Sequence, residues 1–457
     1  MEKQKGHVIV LPYPAQGHIN PLLQFAKRLA SKGLKATLAT THYTVNSIYA
    51  AGVGVEPISD GYDDGGFKQA PSVEAYLESF KTVGSRTLTD LILKFSNSTT
   101  CPPVNCLVYD SLLPWALDVA RELGIYGAVF LTNSASVCSM FWQIDRGVLT
   151  LPVRPEIVPV SMPGLPPLGF SDMPSFLAQP ASHSAYLKVI LEKFSILEQN
   201  DWVFDNTFEE LESELAKAMT GLWPVVMIGP MVPSAFLDHQ IEADTDYGAS
   251  LWKPAGDRCL RWLDTKLPKS VIYVSFGSMA NIAPKQVEEI AWGLKMSNRH
   301  FLWVLKESEN DKLPIDFLSS VDEMGLVMTW CNQVEVLAHQ AVGCFMTHCG
   351  WNSTLEGLSL GVPMVAVPQW SDQPTNAKFV EEVWRVGLRA KKDDEGIVGR
   401  EEVEMCVREV MVGEKSEEFE RNASKWCEFA KKAVSRGGSS DKIISKFVEV
   451  LVMKEGK

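Results

Sequence analysis

The chain has 457 residues, of which 46% are hydrophobic and 22% charged, so it is long enough to form two domains with full hydrophobic cores. Its formal net charge is −13 and no block of Lys and Arg interrupts the acidic balance, which excludes nucleic acid as an expected partner. The nine cysteines lack paired C-x-x-C spacings, so neither a disulfide framework nor a zinc site is indicated.

The amino-terminal residues lead directly into an apolar strand, without the longer apolar region of a cleavable signal, and no long uncharged apolar stretch follows. We therefore expect a cytoplasmic monomer with no stable membrane insertion.

The first half of the chain opens with alternating strand and helix patterns. The apolar run 7–11 predicts a strand, and apolar residues at helical spacing predict a helix over 20–31 that ends before Gly33. A second strand is predicted over 35–41. The second half repeats this order of strand, loop, helix and strand from residue 271 to residue 305.

Two separate βαβ starts in one chain predict an α/β protein of two Rossmann-like, doubly wound domains facing each other across a cleft. A crevice between domains is the usual place for a ligand. Between the halves, the segment 237–257 is rich in Asp and lacks apolar periodicity, so we interpret it as a solvated linker.

Polar side chains follow two strands of the first half. His18 comes after the first strand, and Asp110 ends a strand predicted over 104–109. Because the carboxyl ends of parallel strands share an edge, the two can meet there, and a carboxylate can hold an imidazole as a general base. The alternatives are a structural histidine and an aspartate that begins the helix predicted over 114–123.

The stretch 330–373 concentrates aromatic and polar groups within one βαβ-sized unit, as a nucleotide-sugar site requires. A strand is predicted over 343–347 and a helix over 351–360. The first N–H groups of a helix lack internal partners and carry its positive dipole end, so we place a diphosphate at that helix start. His348 can add a hydrogen bond or a positive charge.

Ser353 and Glu356 also match the S-x-x-E pattern of a capping box, which would start any helix. Taken alone, the pattern favours that structural role. A single structural helix does not explain polar groups that lie before the strand and after the next one, namely Gln333, Asp372 and Gln373.

On these motifs, the chain resembles the plant-type UDP-dependent glycosyltransferases of family 1, whose donor-binding signature matches 330–373 almost position for position. The stretches P-A-Q-G-H-I-N-P and L-V-Y-D match further positions of the family, and the resemblance covers nearly the whole chain. It implies a GT-B type fold and a metal-independent, inverting hexosyltransferase of secondary metabolism.

The resemblance implies UDP-sugar-binding roles, in chain order, for Gly17, Thr132, Ser278, Trp330, Cys331, Gln333, His348, Gly350, Trp351, Asn352, Ser353, Glu356, Asp372 and Gln373. Trp330 is expected to stack on uracil, and Asp372 and Gln373 to bond the sugar hydroxyls. Cys331 stands where the family usually has Ala or Val, but its contact is expected through the backbone. The glutamine at 373 implies UDP-glucose as donor.

The family's general base and its partner aspartate match His18 and Asp110. The resemblance therefore implies that His18 activates an acceptor that displaces UDP in one step and forms a β-glucoside. No metal or cofactor is expected besides the donor substrate. The triplet Asp244-Thr245-Asp246 has a D-x-D form that binds metal in glycosyltransferases of another fold. Here it lies in an acidic run rather than after a strand, so we predict no metal site at this triplet.

The expected partner is a small apolar acceptor that carries a hydroxyl or carboxyl group, such as a phenolic, a terpenoid or a steroid. The candidate acceptor pocket consists of Phe80, Phe141, Trp142, Phe176, Met279 and Trp370. Each of these side chains could equally be ordinary core.

The predicted division of the chain is an acceptor domain at 1–236, the linker at 237–257, a donor domain at 258–435 and a final helix at 436–457 that packs back on the first domain. Two alternatives stay open: an isomerase of the same build that acts on the UDP-sugar, and a UDP-sugar sensor without catalysis.

Overall fold

The computed structural model describes residues 6–99, 101–251, 258–279, 281–321 and 323–453. By their contacts these residues form two compact units. The first unit comprises the described residues within Met1–Pro167, Phe176–Leu251 and Lys432–Lys457, and the second those within Leu168–Ser175 and Trp252–Lys431.

The first unit is built on a parallel sheet whose strands are β1 (His7–Leu11), β2 (Lys35–Thr41), β3 (Val53–Ile58), β4 (Val104–Asp110), β5 (Tyr126–Leu131), β6 (Trp202–Asp205) and β7 (Val225–Met227). Their order is β3-β2-β1-β4-β5-β6-β7, and all neighbours are parallel. The order reverses between β1 and β4, so this sheet has a topological switch point there.

The second unit has its own parallel sheet, with strands β8 (Val271–Ser275), β9 (His300–Val304), β10 (Gly325–Met328), β11 (Val342–Thr347), β12 (Met364–Ala366) and β13 (Gly387–Arg389). Their order is β10-β9-β8-β11-β12-β13, with the reversal between β8 and β11. The predicted α/β class with two doubly wound sheets is confirmed.

The helices are α1 (Gln16–Ser31), α2 (His42–Val45), α3 (Val73–Ser79), α4 (Ser85–Ser96), α5 (Ala116–Glu122), α6 (Ala135–Asp145), α7 (Ser175–Ala178), α8 (Ser184–Ser195), α9 (Ser213–Ala218), α10 (Arg258–Leu263), α11 (Pro284–Met296), α12 (Phe317–Ser320), α13 (Gln333–Ala338), α14 (Trp351–Ser359), α15 (Gln373–Lys378), α16 (Arg400–Val412), α17 (Ser416–Val434) and α18 (Ser439–Met453).

The core of the first unit explains why α18 belongs to it. All five residues of β1 are buried, as expected for a parallel strand covered on both faces. From α18, the ring of Phe447 lies 6.3 Å from Phe25 and 5.0 Å from Phe204, measured between centroids. Asp441 also pairs with Lys32 of α1 at 2.5 Å.

The first helix begins at Gln16 rather than at Asn20, because the carbonyl of the extended residue Ala15 accepts hydrogen bonds from the N–H groups of His18 and Ile19. His18 therefore lies in the first turn of a helix, and Pro21 lies inside that helix.

The sequence predicts a final helix over 436–457, and the structure has two helices in the carboxyl-terminal part of the chain. The described part forms α17 and α18, separated at Gly437, whose φ of 80° is in the left-handed region. Residues 454–457 lie outside the described part.

The acidic segment was expected to be solvated, and this expectation is wrong for Asp244, which lies in the part of the segment up to Leu251 that belongs to the first unit. Asp244 is only 4% exposed and accepts hydrogen bonds from Lys27 Nζ at 2.8 Å, Gln24 Nε2 at 2.5 Å and the N–H of Ser234 at 2.6 Å. Its charge is therefore paired with α1. Residues 252–257 lie outside the described part, and the four-part division of the chain stays a prediction.

Candidate active site

The first unit brings His18 and Asp110 together at its topological switch point. His18 lies in the first turn of α1, which follows β1, and Asp110 is the last residue of the adjacent strand β4. His18 Nδ1 is 2.7 Å from Asp110 Oδ2, and Asp110 Oδ1 accepts a hydrogen bond from the N–H of Leu112 at 2.9 Å.

This geometry fixes the tautomer of the histidine. The side chain of Asp110 is fully buried, whereas that of His18 is 21% exposed. An ionised carboxylate can only accept hydrogen bonds, so Nδ1 of His18 must carry the proton that faces it. The other ring nitrogen, Nε2, is then the basic one, and it can accept a proton from a ligand.

Thr132 and Gly17 lie beside this pair. Thr132, which follows β5, places Oγ1 3.4 Å from His18 Nδ1, and Gly17 precedes His18 in the first turn of α1. Sequence reasoning missed Tyr13, whose ring centroid is 5.4 Å from that of His18. Its position in the loop between β1 and α1 was the available signal.

Two buried titratable groups near Asp110 were also missed. Lys193 of α8 is 4% exposed and donates a hydrogen bond to Ser111 Oγ at 3.2 Å. Asp205 ends β6, and burial, reinforced by the nearby Glu212, raises the pKa of its carboxyl well above the ordinary value. Burial therefore favours the protonated form of Asp205, and Asp110 is distinguished from it by its histidine partner.

In the second unit, the helix within the donor-binding signature 330–373 begins without a side-chain cap. The N-cap is Gly350, with extended backbone angles, and α14 begins at Trp351. Ser353 is thus the third residue of the helix rather than its cap, so the capping-box alternative does not hold. The N–H groups of the first turn are the part of the helix that can receive an anion.

Gln333 connects the start of α13 to that helix. Its Nε2 donates hydrogen bonds to Ser353 Oγ at 2.9 Å and to Glu356 Oε2 at 2.5 Å, and its Oε1 accepts one from the hydroxyl of Tyr273 at 3.1 Å. Glu356 is 4% exposed. Gln333 and Glu356, both predicted to bind the UDP-sugar, therefore lie side by side. Tyr273 supports Gln333, a role that the sequence did not indicate.

His348 is enclosed by two glycines. A Cβ added to Gly277 would lie 2.7 Å from His348 Nε2, and one added to Gly350 would lie 2.5 Å from it. Desolvation by burial lowers the pKa of His348 to about 4, against a smaller opposing effect of a hydrogen bond with the backbone of Ser275. The ring is therefore neutral at pH 7. The hydrogen-bonding role expected for His348 stays a prediction. The positive charge expected on its ring is wrong.

Asp372 and Gln373 lie at the start of α15. Gln373 Oε1 accepts hydrogen bonds from the N–H groups of Gln369 at 2.8 Å and Trp370 at 3.0 Å, so the amide presents its N–H donors on the other side. Asp372 Oδ2 accepts one from Asn376 Nδ2 at 2.8 Å. One donor and one acceptor thus stand next to each other, as recognition of sugar hydroxyls requires. The sequence did not indicate the supporting role of Asn376 beside Asp372.

The remaining signature residues take different positions. Trp330 is half-buried, and Cys331 is buried with Sγ 3.5 Å from the hydroxyl of Tyr273. Asn352 is half-buried in the first turn of α14. Trp351 is 3% exposed, and its ring lies 6.1 Å from that of Trp384, so a contact with diphosphate would have to come from its backbone. The carbonyl of the remaining donor candidate, Ser278, accepts a hydrogen bond from Lys306 Nζ at 3.3 Å.

The candidate acceptor residues are mostly packed in cores. In the first unit Phe80, Phe141, Trp142 and Phe176 are all at least 92% buried. Phe141 stacks on Phe194 with centroids 6.0 Å apart, and Trp142 packs edge-on against Trp223 at 5.4 Å.

Phe176 differs from the other three, because its neighbour at 6.4 Å is Tyr186, which hydrogen-bonds to Tyr13 beside His18. In the second unit Met279 is 53% exposed and Trp370 is half-buried. All six acceptor roles stay predictions.

Within the described ranges, no three His, Cys, Asp or Glu side chains are grouped so that they could hold a metal ion. In the same part of the chain, no helix has both the length and the hydropathy needed to cross a membrane.

Comparison with known proteins covers both units. Residues 173–426 match the family described as UDP-glucoronosyl and UDP-glucosyl transferase, and residues 5–57 match the family described as Glycosyltransferase, N-terminal domain. The chain is 50% identical to UDP-glycosyltransferase 74B1 of Arabidopsis thaliana over 98% of each protein. It is 46% identical to flavonol 7-O-beta-glucosyltransferase UGT74F1 of the same plant, over 99% of this chain and 100% of that one.

A solved structure is similar to this chain over nearly its whole length. Os79 from O. sativa in complex with UDP has a TM-score of 0.92 and 40% sequence identity, and the match covers 97% of this chain and 100% of that one. Os79 has also been solved in complex with U2F and trichothecene. These matches confirm the family and the fold that the stretch 330–373 predicted.

Proposed function

Because the chain belongs to the UDP-glucoronosyl and UDP-glucosyl transferase family and is a UDP-glycosyltransferase, we propose that it transfers glucose from UDP-glucose, with inversion, to a hydroxyl or carboxyl group of a small apolar acceptor. The observation that carries the proposal is the 2.7 Å contact between His18 Nδ1 and the buried carboxylate of Asp110. It supplies an oriented base in a protein whose relatives use UDP-sugars.

In the proposed step, His18 Nε2 takes the proton of the acceptor while the acceptor oxygen attacks the anomeric carbon of UDP-α-glucose. The bond from that carbon to the diphosphate oxygen breaks, and UDP leaves from the opposite face. The product is a β-glucoside. Asp110 holds the imidazole in the required tautomer and stabilises the imidazolium that forms.

The leaving UDP carries negative charge that must be stabilised. We assign this to the N–H groups at the start of α14, with His348 as a neutral hydrogen-bond donor. Gln333 and Glu356 suit the ribose hydroxyls, because amide and carboxylate oxygens can accept hydrogen bonds from them. Asp372 and Gln373 suit the hydroxyls of glucose, because this pair offers a donor beside an acceptor. Trp330 would stack on uracil. No metal takes part in the proposed step, since the helix terminus supplies the positive potential.

Aromatic rings extend from His18 within the first unit. Tyr13 lies 5.4 Å from His18 and 6.2 Å from Tyr76, and Tyr186 connects Tyr13 to Phe176. Such a wall favours flat, apolar acceptors with a reactive hydroxyl. The relative named for flavonol glucosylation supports phenolic acceptors, and the Os79 complex with trichothecene supports terpenoid ones.

Mass spectrometry tests this proposal. The purified chain is incubated with UDP-glucose and EDTA against flavonols, other phenols, carboxylic acids, terpenoids and steroids. We expect at least one acceptor to gain a hexose, and His18→Ala to lower turnover about 10²-fold to 10⁴-fold while the Kd for UDP stays nearly unchanged. A loss of UDP affinity as large as the loss of turnover would contradict the role given to His18.

The same incubation separates the two alternatives. An isomerase would change UDP-glucose without any acceptor, and a sensor would bind UDP-glucose while no acceptor gains mass. Cytoplasmic location and a monomeric state stay predictions from the sequence.

A further inference from the structure

The segment Leu168–Ser175 belongs to the second unit by its contacts, although the residues that precede and follow it in sequence belong to the first. It forms a short 3-10 turn at Phe170–Asp172, closed by a hydrogen bond of 2.9 Å from the N–H of Gly169 to Asp172 Oδ2. The partners of the segment within the second unit show what it does there.

Asp172 joins the segment to α15 and to the last strand of the sheet. Its carboxylate pairs with Arg389 of β13 at 2.7 Å and with Lys378 of α15 at 3.2 Å, and its carbonyl accepts a hydrogen bond from Thr375 Oγ1 at 2.7 Å. Arg389 also donates to the carbonyl of Ser171. The carboxylate and both cationic groups are mostly buried, at 14%, 20% and 9% exposure, so these pairs are shielded from solvent. The segment therefore contacts α15 at its third residue, Thr375, and at its last residue, Lys378.

Ser175 holds the residue just before the proposed sugar-binding pair. Its N–H donates to the carbonyl of Ser371 at 2.8 Å, and its Oγ accepts from the N–H of Ser371 at 2.8 Å. Ser371 has a φ of 59°, a left-handed conformation that is uncommon for a residue with a side chain. Such a conformation persists only when its surroundings impose it, and the two hydrogen bonds from Ser175 do so.

We propose that the segment Leu168–Ser175 is a positioning element for donor sugar recognition: through Asp172 and Ser175 it holds Asp372 and Gln373 where they contact the glucose of UDP-glucose. This inference rests on the proposed function, because it takes Asp372 and Gln373 to be the sugar-binding pair. Neither Asp172 nor Ser175 touches the donor. They set the geometry of residues that do.

The test measures binding of UDP-glucose and of UDP by calorimetry, together with kcat and KM for UDP-glucose, in Ser175→Ala. UDP lacks the sugar, so a positioning role changes the affinity for UDP-glucose and not that for UDP. Loss of one supporting hydrogen bond should weaken UDP-glucose binding about threefold to tenfold. Ser175→Thr keeps the hydroxyl oxygen and should restore affinity. Asp172→Asn, which removes the charge but keeps the shape, should act in the same direction as Ser175→Ala.

The matched control is Ser184→Ala, at the exposed first residue of α8 in the first unit, which should behave as the unchanged chain. The inference is overturned if Ser175→Ala weakens UDP and UDP-glucose equally, or leaves both unchanged.

Gln373→Ala distinguishes this inference from the proposed function. If Gln373→Ala does not alter UDP-glucose binding relative to UDP, the proposed donor site is wrong. If it does while Ser175→Ala and Asp172→Asn do not, only the positioning role is wrong. In the Gln373→Ala background the effect of Ser175→Ala should shrink, because both act on the same contact.

Discussion

Replacing Asp110 by Asn removes one charge from the proposed base pair while it keeps the size of the side chain. Asp110 Oδ1 accepts the N–H of Leu112 at 2.9 Å, and an asparagine oxygen can keep that bond. The amide nitrogen then faces His18 Nδ1, where the carboxylate stood at 2.7 Å. Because an amide NH₂ group donates, Nδ1 becomes the acceptor and the proton moves to Nε2. The histidine can no longer accept a proton from the acceptor.

The size of the effect follows from the same distances. With the carboxylate 2.7 Å from Nδ1, the two charge centres of an imidazolium–carboxylate pair are about 4 Å apart. At an effective dielectric constant of about 20 this pair is stabilised by about 4 kcal/mol, which corresponds to about 10³ in rate if the transition state carries the full charge. A partly transferred proton lowers this figure, so we expect kcat to fall about 10²-fold to 10³-fold.

The assay is UDP release at saturating UDP-glucose and acceptor, with UDP binding measured in parallel by calorimetry. Asp205→Asn is the matched control, because Asp205 also ends a strand of the same sheet, and burial raises the pKa of its carboxyl well above the ordinary value. Asn resembles the protonated form that a raised pKa favours, so this variant should keep most of its activity. Both variants should bind UDP as the unchanged chain does.

The double variant His18→Ala/Asp110→Asn should be no slower than His18→Ala alone, because the two residues act as one unit. A kcat within about threefold of the unchanged chain for Asp110→Asn would refute the reasoning, and so would effects that multiply in the double variant.

Two other predictions concern Gly350 and His7. Gly350→Ala places a Cβ 2.5 Å from His348 Nε2, so the imidazole ring must be displaced. The affinity for UDP, measured by calorimetry, should therefore fall about tenfold. An unchanged Kd for UDP would contradict the placement of UDP at α14. His7 is buried with Nε2 2.8 Å from Thr37 Oγ1, and burial, with the nearby charge of Lys35, lowers its pKa from 6.5 to about 4. Between these two pKa values the folded state therefore binds fewer protons than the unfolded chain. The free energy of unfolding is highest above pH 6.5, and it falls by up to about 3 kcal/mol as the pH drops towards 4. His7→Gln should flatten this dependence in urea unfolding at several pH values, and an unchanged slope would contradict it.

Local patterns in the sequence predicted much of the fold. The predicted bounds of β1 and β2 agree with the structure at both ends, because apolar runs indicate which segments are buried. The approach of His18 to Asp110, 92 positions apart, also followed from the sequence, since strands of a parallel sheet end at one edge.

Partners distant in sequence could not be predicted in the same way. The acidic neighbours of Asp244 predict a solvated side chain. The structure instead pairs Asp244 with Lys27, which lies 217 positions away. Asp172 has no local pattern at all, and its partner Arg389 is likewise 217 positions distant. The neutral state of His348 depends on burial between two glycines, which only the folded chain reveals.

The most direct test of the central claim is proton NMR of the first product formed from UDP-α-glucose and an acceptor from the panel, with EDTA present. Direct displacement assisted by His18 predicts a β-glucoside, recognised by the large coupling between its H1 and H2, and product formation that is at least about 10²-fold slower with His18→Ala. An α-glucoside as the first product, or β-glucoside formed equally fast by His18→Ala, would contradict it.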